Sequence, residues 1–60
     1  MRSKVLIIDD DEKIISMLRR GLAFEGYDII TASNGAEGLK SVLNSEPDLV
    51  ILDVMMPQVD

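Results

Sequence analysis

Two unbroken apolar runs, each followed by aspartate, most strongly constrain how this chain can fold. Residues 5–8 are all aliphatic and are followed by Asp9, and residues 49–52 are all aliphatic and are followed by Asp53. Apolar runs without polar alternation are typical of strands covered on both faces, as in a parallel sheet. We therefore interpret both runs as buried strands with an acid at the carboxyl end.

The segments between these runs carry apolar residues at helical spacing. The pattern predicts three strands and two helices in the order β-α-β-α-β. The strands cover about 4–8, 27–32 and 48–52, and the helices about 12–25 and 35–45. The apolar stripe of the first helix is predicted to contain Ile14, Ile15, Met17, Leu18, Leu22 and Phe24.

Capping residues support these helix boundaries. Asp11 is placed to cap the start of the first helix, and Gly26 follows its end, where a left-handed residue is favoured. Asn34 and Glu37 resemble a capping box at the start of the second helix. Pro47 ends that helix, because proline disfavours helical geometry in the residue before it.

The second helix is expected to be the weaker of the two. Its predicted buried face contains Ala36, Leu39 and Leu43. Gly38 lies inside the helix, where glycine costs about 1 kcal/mol relative to alanine.

Strands that alternate with helices favour a parallel sheet with right-handed crossovers. If the first and third strands are neighbours, Asp9, Asp10 and Asp53 gather at the carboxyl edge, where ligands bind in open α/β sheets. Three close carboxylates repel one another unless a proton or a cation lies between them. Mg²⁺ prefers such oxygen ligands, and a carboxylate can itself attack phosphorus to form an acyl phosphate.

Composition narrows the possible functions further. Eleven acidic and six basic residues give a net charge of −5, which argues against binding of nucleic acid or an anionic membrane by this segment. No cysteine is present, so thiolate metal sites and disulfides are excluded. The apolar runs are too short for a signal peptide or a membrane span, so we expect a cytoplasmic protein.

Residues 4–11, 32–35 and 47–60 together resemble the receiver domain of two-component response regulators. The most specific part is Asp53 followed by two residues, then Met56 and Pro57. The resemblance implies an α/β, three-layer flavodoxin-like fold whose parallel strands have the order 2-1-3. On this interpretation residues 1–60 form the N-terminal portion of a receiver domain.

The resemblance also implies roles for individual residues. Asp53 would accept a phosphoryl group from a sensor histidine kinase. Mg²⁺ would be bound by Asp10, by Asp53 and by the backbone carbonyl of Met55, with Asp9 acting largely through water. Such a domain is a phosphoaccepting signalling module, with at most self-catalysed phosphotransfer and dephosphorylation, and not a conventional enzyme.

The chain also departs from the family pattern. The fourth-strand serine or threonine and the fifth-strand lysine, which contact the phosphoryl oxygens in the family, have no counterpart here. The third strand, over about 48–52, would have an exposed apolar edge, which favours pairing with another chain. We therefore expect inefficient phosphotransfer by the isolated chain.

Two alternative interpretations stay open at the level of the sequence. The first is a fragment of a phosphatase of the haloacid-dehalogenase class, with Asp9 as nucleophile and Asp11 as acid and base, although Lys13 departs from that motif. The second is a structural module that forms a homodimer through the exposed third strand.

Overall fold

The computed structural model describes residues 2–52, which form a three-stranded parallel sheet with one helix on each face. The elements in chain order are β1 (Lys4–Ile8), α1 (Glu12–Phe24), β2 (Asp28–Ala32), α2 (Gly35–Ser45) and β3 (Leu49–Leu52). The strands have the order β2-β1-β3, and β1 pairs in parallel with both neighbours. The predicted α/β class and the 2-1-3 strand order are confirmed.

The central strand β1 supplies most of the core. Val5, Leu6 and Ile7 are fully buried, because helices cover both faces of this strand. One face carries Val5 and Ile7, which pack with Ile15 of α1. The opposite face carries Leu6 and Ile8, which pack with Ala32, Ile30 and Val42. Two-sided burial explains why the run at residues 5–8 is apolar without interruption.

Helix α1 has the predicted caps, but only part of its predicted stripe is buried. The side chain of Asp11 accepts a hydrogen bond from the Lys13 amide, and Gly26 adopts a φ of 99°, which glycine reaches without steric strain. Ile15 is buried and Leu18 and Leu22 are partly buried against the sheet. The prediction was wrong for three members, which are exposed on the outer side of the helix: Ile14, Met17 and Phe24.

Helix α2 packs through a different face from the predicted one. Gly38 is buried and Val42 is half-buried against β1 and β2, whereas Ala36, Leu39 and Leu43 are exposed. The cause is the missing side chain of Gly38, which lets the helix approach Ile8 closely. Leu39 and Leu43 are one residue beyond Gly38 and Val42, so they are rotated by about 100° away from the sheet.

The amino end of β1 is fastened to the α2–β3 connection. The Lys4 amide donates to the Asp48 carboxylate at 2.7 Å, and the Asp48 amide donates to the Lys4 carbonyl at 2.7 Å. The Lys4 ammonium donates to the Ser45 carbonyl at 2.9 Å, at the end of α2 where a cation is favoured. These bonds hold β1 and β3 side by side from the first residue of β1.

Candidate functional site

The strand register makes the three strands end at the same level. Ile8, the last residue of β1, is paired with Ala32 of β2 and with Leu52 of β3. Because the strands are parallel, the residues that follow them in sequence begin at one edge of the sheet. Asp9 directly follows β1 at this edge. Its amide donates a hydrogen bond to the carbonyl of Ala32, the last residue of β2, at 3.1 Å.

The three consecutive aspartates differ in their contacts. Asp9 is only 3% exposed, and its Oδ1 accepts a hydrogen bond from the Asp11 amide at 2.9 Å. Asp11 is exposed and caps α1 through its Oδ1, which accepts from the Lys13 amide at 2.9 Å. Asp10, between them, is exposed to solvent. The backbone turn into α1 thus uses a carboxylate oxygen of Asp9 and one of Asp11, and leaves Asp10 at the surface of the edge.

These contacts argue against the phosphatase interpretation. That mechanism needs Asp9 as an accessible nucleophile, yet this carboxylate is buried and is bonded to the Asp11 amide. It also needs Asp11 as a proton donor and acceptor, but the Asp11 carboxylate is bonded to the helix amide of Lys13.

The other predicted site residues, Asp53 and Met55, lie outside the described residues. Within residues 2–52, no group of three or more histidine, cysteine, aspartate or glutamate side chains is arranged to hold a metal ion. The roles given above to Asp9, Asp10, Asp53 and Met55 therefore stay predictions.

The β2–α2 connection contains a hydrogen-bonding arrangement that the sequence analysis assigned only in part. Asn34 Oδ1 accepts from the Glu37 amide at 2.9 Å, as the capping box predicts. The Glu37 carboxylate, however, accepts from the amide (3.1 Å) and the hydroxyl (3.0 Å) of Ser33. The signal for this arrangement was a hydroxyl residue four positions before the glutamate. Ser33 directly follows the residue that binds the Asp9 amide, so the loop beside the acidic edge is fixed in place.

The same hydrogen bonds make this loop sensitive to acid. The amide and hydroxyl of Ser33, with a smaller contribution from the charge of Lys40, hold the pKa of Glu37 below its ordinary value of 4.5. A lowered pKa in the folded state gives stability that is complete above the unfolded pKa and is lost as pH falls through the folded pKa.

We therefore expect Glu37→Gln to lower the melting temperature more at pH 7 than at pH 3. The measurement is thermal unfolding followed by circular dichroism at both pH values. Glu25→Gln, which changes an exposed glutamate outside this loop, is the matched control. An equal effect of Glu37→Gln at both pH values would contradict the assignment.

Comparison with known proteins agrees with this fold. The sequence matches the response regulator receiver domain family over residues 5–60. The chain therefore belongs to the receiver domain family of two-component response regulators. The matched range includes Asp9, Asp10 and Asp53.

Individual relatives resemble the chain along its whole length. It is 48% identical over 60 residues to the alkaline phosphatase synthesis transcriptional regulatory protein PhoP of Bacillus subtilis, covering 100% of this chain and 25% of that protein. It is 45% identical over 60 residues to the response regulator MprA of a Mycobacterium species (strain KMS), covering 100% of this chain and 26% of that protein. The chain thus spans about a quarter of the length of these relatives. In the described part of the chain, no helix is long and apolar enough to cross a membrane.

Proposed function

We propose that Asp53 accepts a phosphoryl group from a sensor histidine kinase. Membership of the receiver family supports this proposal, as does the parallel pairing of β1 with β3. Ile8 and Leu52 are in register, and Asp9 and Asp53 are the next residues in sequence. The observation that carries the proposal is this register, because it makes β1 and β3 end at the same edge of the sheet.

The proposed reaction follows from the chemistry of the Asp53 carboxylate and of the phosphohistidine that donates the group. A carboxylate oxygen of Asp53 attacks phosphorus of the phosphohistidine donor, the P–N bond breaks, and an aspartyl phosphate forms. The imidazole of the donor leaves with the bonding electron pair and takes up a proton. On this proposal the chain is the acceptor of the group, and Asp53 is the nucleophile.

The residues at the edge are suited to hold Mg²⁺, because carboxylate and carbonyl oxygens are its preferred protein ligands. Asp10 is exposed and would bind directly, together with Asp53 and the Met55 carbonyl. Asp9 would act through water, since it is buried and one of its oxygens already accepts from the Asp11 amide. When bound, the ion would offset the repulsion between the anionic donor and the anionic nucleophile.

The remaining proposals concern partners and location. The partner is a sensor histidine kinase, and the location is the cytoplasm, where such a kinase would present its phosphohistidine. We also retain the predicted homodimer through the third strand, which is supported by the exposed side chains of Leu49, Val50 and Leu52.

Incubation with a small phosphodonor and Mg²⁺ tests the phosphoacceptor directly. We expect mass spectrometry of the borohydride-trapped chain to place the modification on Asp53, and Asp53→Asn to remove it. Asp28→Asn is the matched control, because Asp28 begins β2 at the opposite end of the sheet. Modification of Asp9, or equal modification of the Asp53→Asn chain, would overturn the proposal.

A further inference from the structure

One carboxylate ties the β2–α2 connection to α2. The Glu37 carboxylate accepts from the Ser33 amide at 3.1 Å and from the Ser33 hydroxyl at 3.0 Å, so it uses both donors of that residue. These bonds hold the pKa of Glu37 below its ordinary value, so the carboxylate is ionised at neutral pH and both bonds are charge-assisted. Ser33 is therefore bonded to the first turn of α2.

Glu37 is in turn held against the sheet through α2. Its amide donates to Asn34 Oδ1 at 2.9 Å, at the cap of the helix. The next residue, Gly38, is buried and lies close against Ile8, the last residue of β1. The first turn of α2 is thus fixed in position relative to the carboxyl end of β1.

The same connection holds Asp9. The Asp9 amide donates to the Ala32 carbonyl at 3.1 Å, and Ser33 is the residue after Ala32. The contacts form a closed ring that runs from Ile8 through Gly38, Glu37, Ser33 and Ala32 to Asp9. The bond between Asp9 and Ala32 follows the last paired residues of β1 and β2, and the end of a ladder is where strands separate most readily. Tying Ser33 to α2 opposes that separation.

We propose that Ser33 and Glu37 are positioning residues for the Mg²⁺ site and act through Asp9. The inference rests on the proposed function, in which Asp9 contributes to that site through water. Asp9 is held by its amide at Ala32 and by its Oδ1, which accepts from the Asp11 amide at 2.9 Å. Release of Ser33 would give Asp9 freedom that Mg²⁺ binding must then remove, and affinity falls when a site is less preorganised.

A purely structural role for the same bonds is the alternative, because they also stabilise the start of α2. The two roles differ in where a lost bond is felt. A structural role lowers the stability of the whole chain, and exchange of all the amides of β1 then accelerates together. A positioning role acts locally, at the Asp9 amide and on the affinity for Mg²⁺.

Ser33→Ala is the sharpest variant, because it removes one of the two bonds and no charge. Glu37→Gln would also remove a negative charge from the chain, which by itself disfavours a bound cation. Ser33 is exposed, so loss of its hydroxyl leaves no cavity. Ser33→Thr keeps a hydroxyl and should restore the bond. Ser3→Ala is the matched control, since it makes the same change at an exposed serine before β1.

Amide hydrogen exchange without metal, followed by NMR, tests whether Ser33 holds Asp9. In the Ser33→Ala chain the Asp9 amide should exchange about fivefold faster or more, while the amide of Leu6, in the middle of β1, should change by less than about twofold. Ser33→Thr and Ser3→Ala should leave both rates nearly unchanged. An unchanged rate at Asp9 in the Ser33→Ala chain would overturn the inference, and so would an equal rise at Leu6.

Calorimetric titration of the folded chains with Mg²⁺ tests the consequence for the site. Ser33→Ala should raise the dissociation constant about three- to tenfold, less than the roughly 10–100-fold typical of groups that contact a metal ligand directly. Ser33→Thr should restore the affinity. Faster exchange at Asp9 with an unchanged dissociation constant would overturn the inference. If the unmodified chain binds no Mg²⁺, the proposed metal site fails and the inference fails with it, and the exchange rates, which need no metal, tell this case from the others.

Discussion

Mg²⁺ is expected to raise the melting temperature of the unmodified chain, and Asp10→Asn is expected to abolish that rise. A ligand at ten times its dissociation constant stabilises the native state by about 1.4 kcal/mol if it does not bind the unfolded state. For a domain of this size, that corresponds to roughly 6–11 °C. Asp10 is the proposed direct ligand and its carboxylate is exposed, so its loss should remove that ligand without removing a buried contact.

Without metal, Asp10→Asn should not lower the stability of the chain. In EDTA, Asp10→Asn should be as stable as the unmodified chain or more stable, because one of several neighbouring negative charges is gone. Loss of the Mg²⁺ response together with unchanged or increased stability in EDTA distinguishes a lost ligand from a damaged fold. Both quantities are read from thermal unfolding in EDTA and in 10 mM Mg²⁺.

Substitutions of the neighbouring acids serve as controls for this result. Asp9→Asn keeps an oxygen that can accept from the Asp11 amide, so the fold and part of the Mg²⁺ response should persist. Asp9→Ala leaves that amide without its partner and should cost about 1–3 kcal/mol with or without metal. Asp28→Asn, at the opposite end of the sheet, should leave the response unchanged. A full Mg²⁺ response in the Asp10→Asn chain would refute the proposed ligand.

The strand arrangement around the candidate site was predictable from the sequence, but the contacts of the aspartates after β1 were not. Two unbroken apolar runs sufficed to predict buried parallel strands, because burial on both faces is visible in the local sequence, whereas the gathering of Asp9, Asp10 and Asp53 at one edge stays a prediction. The run Asp9-Asp10-Asp11 could not be divided into roles in the same way. Which carboxylate bonds to which backbone amide depends on how the chain turns from β1 into α1.

The error in α2 has a non-local cause. Helical periodicity favoured Ala36, Leu39 and Leu43 as the buried face, and propensity counted Gly38 as a weakness. In the structure Gly38 is buried against Ile8, a residue thirty positions earlier in the chain. Periodicity identifies an apolar face of a helix. It does not show that a neighbouring face packs against the sheet instead, because a glycine on that face permits closer approach.

This packing leads to a second large prediction: alanine should have opposite effects at two helical glycines. A methyl group at Gly38 would overlap Ile8 Cδ1 and lie 3.0 Å from Ile8 Cγ1, whereas a methyl group at Gly21 meets nothing within 4 Å. Overpacking costs about 1–3 kcal/mol and the helix-propensity gain is about 1 kcal/mol, so Gly38→Ala should destabilise by up to about 2 kcal/mol. Gly21→Ala should stabilise by about 0.5–1 kcal/mol.

A double-mutant cycle with Ile8→Val identifies the cause of the Gly38 effect. Valine lacks the Cδ1 atom that an added methyl group would overlap, so Gly38→Ala should be tolerated better in the Ile8→Val background. Ile8→Val alone should cost about 0.5–1.5 kcal/mol, and the double variant should be more stable than the sum of the single effects by about 1 kcal/mol. Urea unfolding of the four chains gives these free energies. Additive effects, or stabilisation by Gly38→Ala as at Gly21, would mean that the close approach of α2 to β1 does not depend on this glycine.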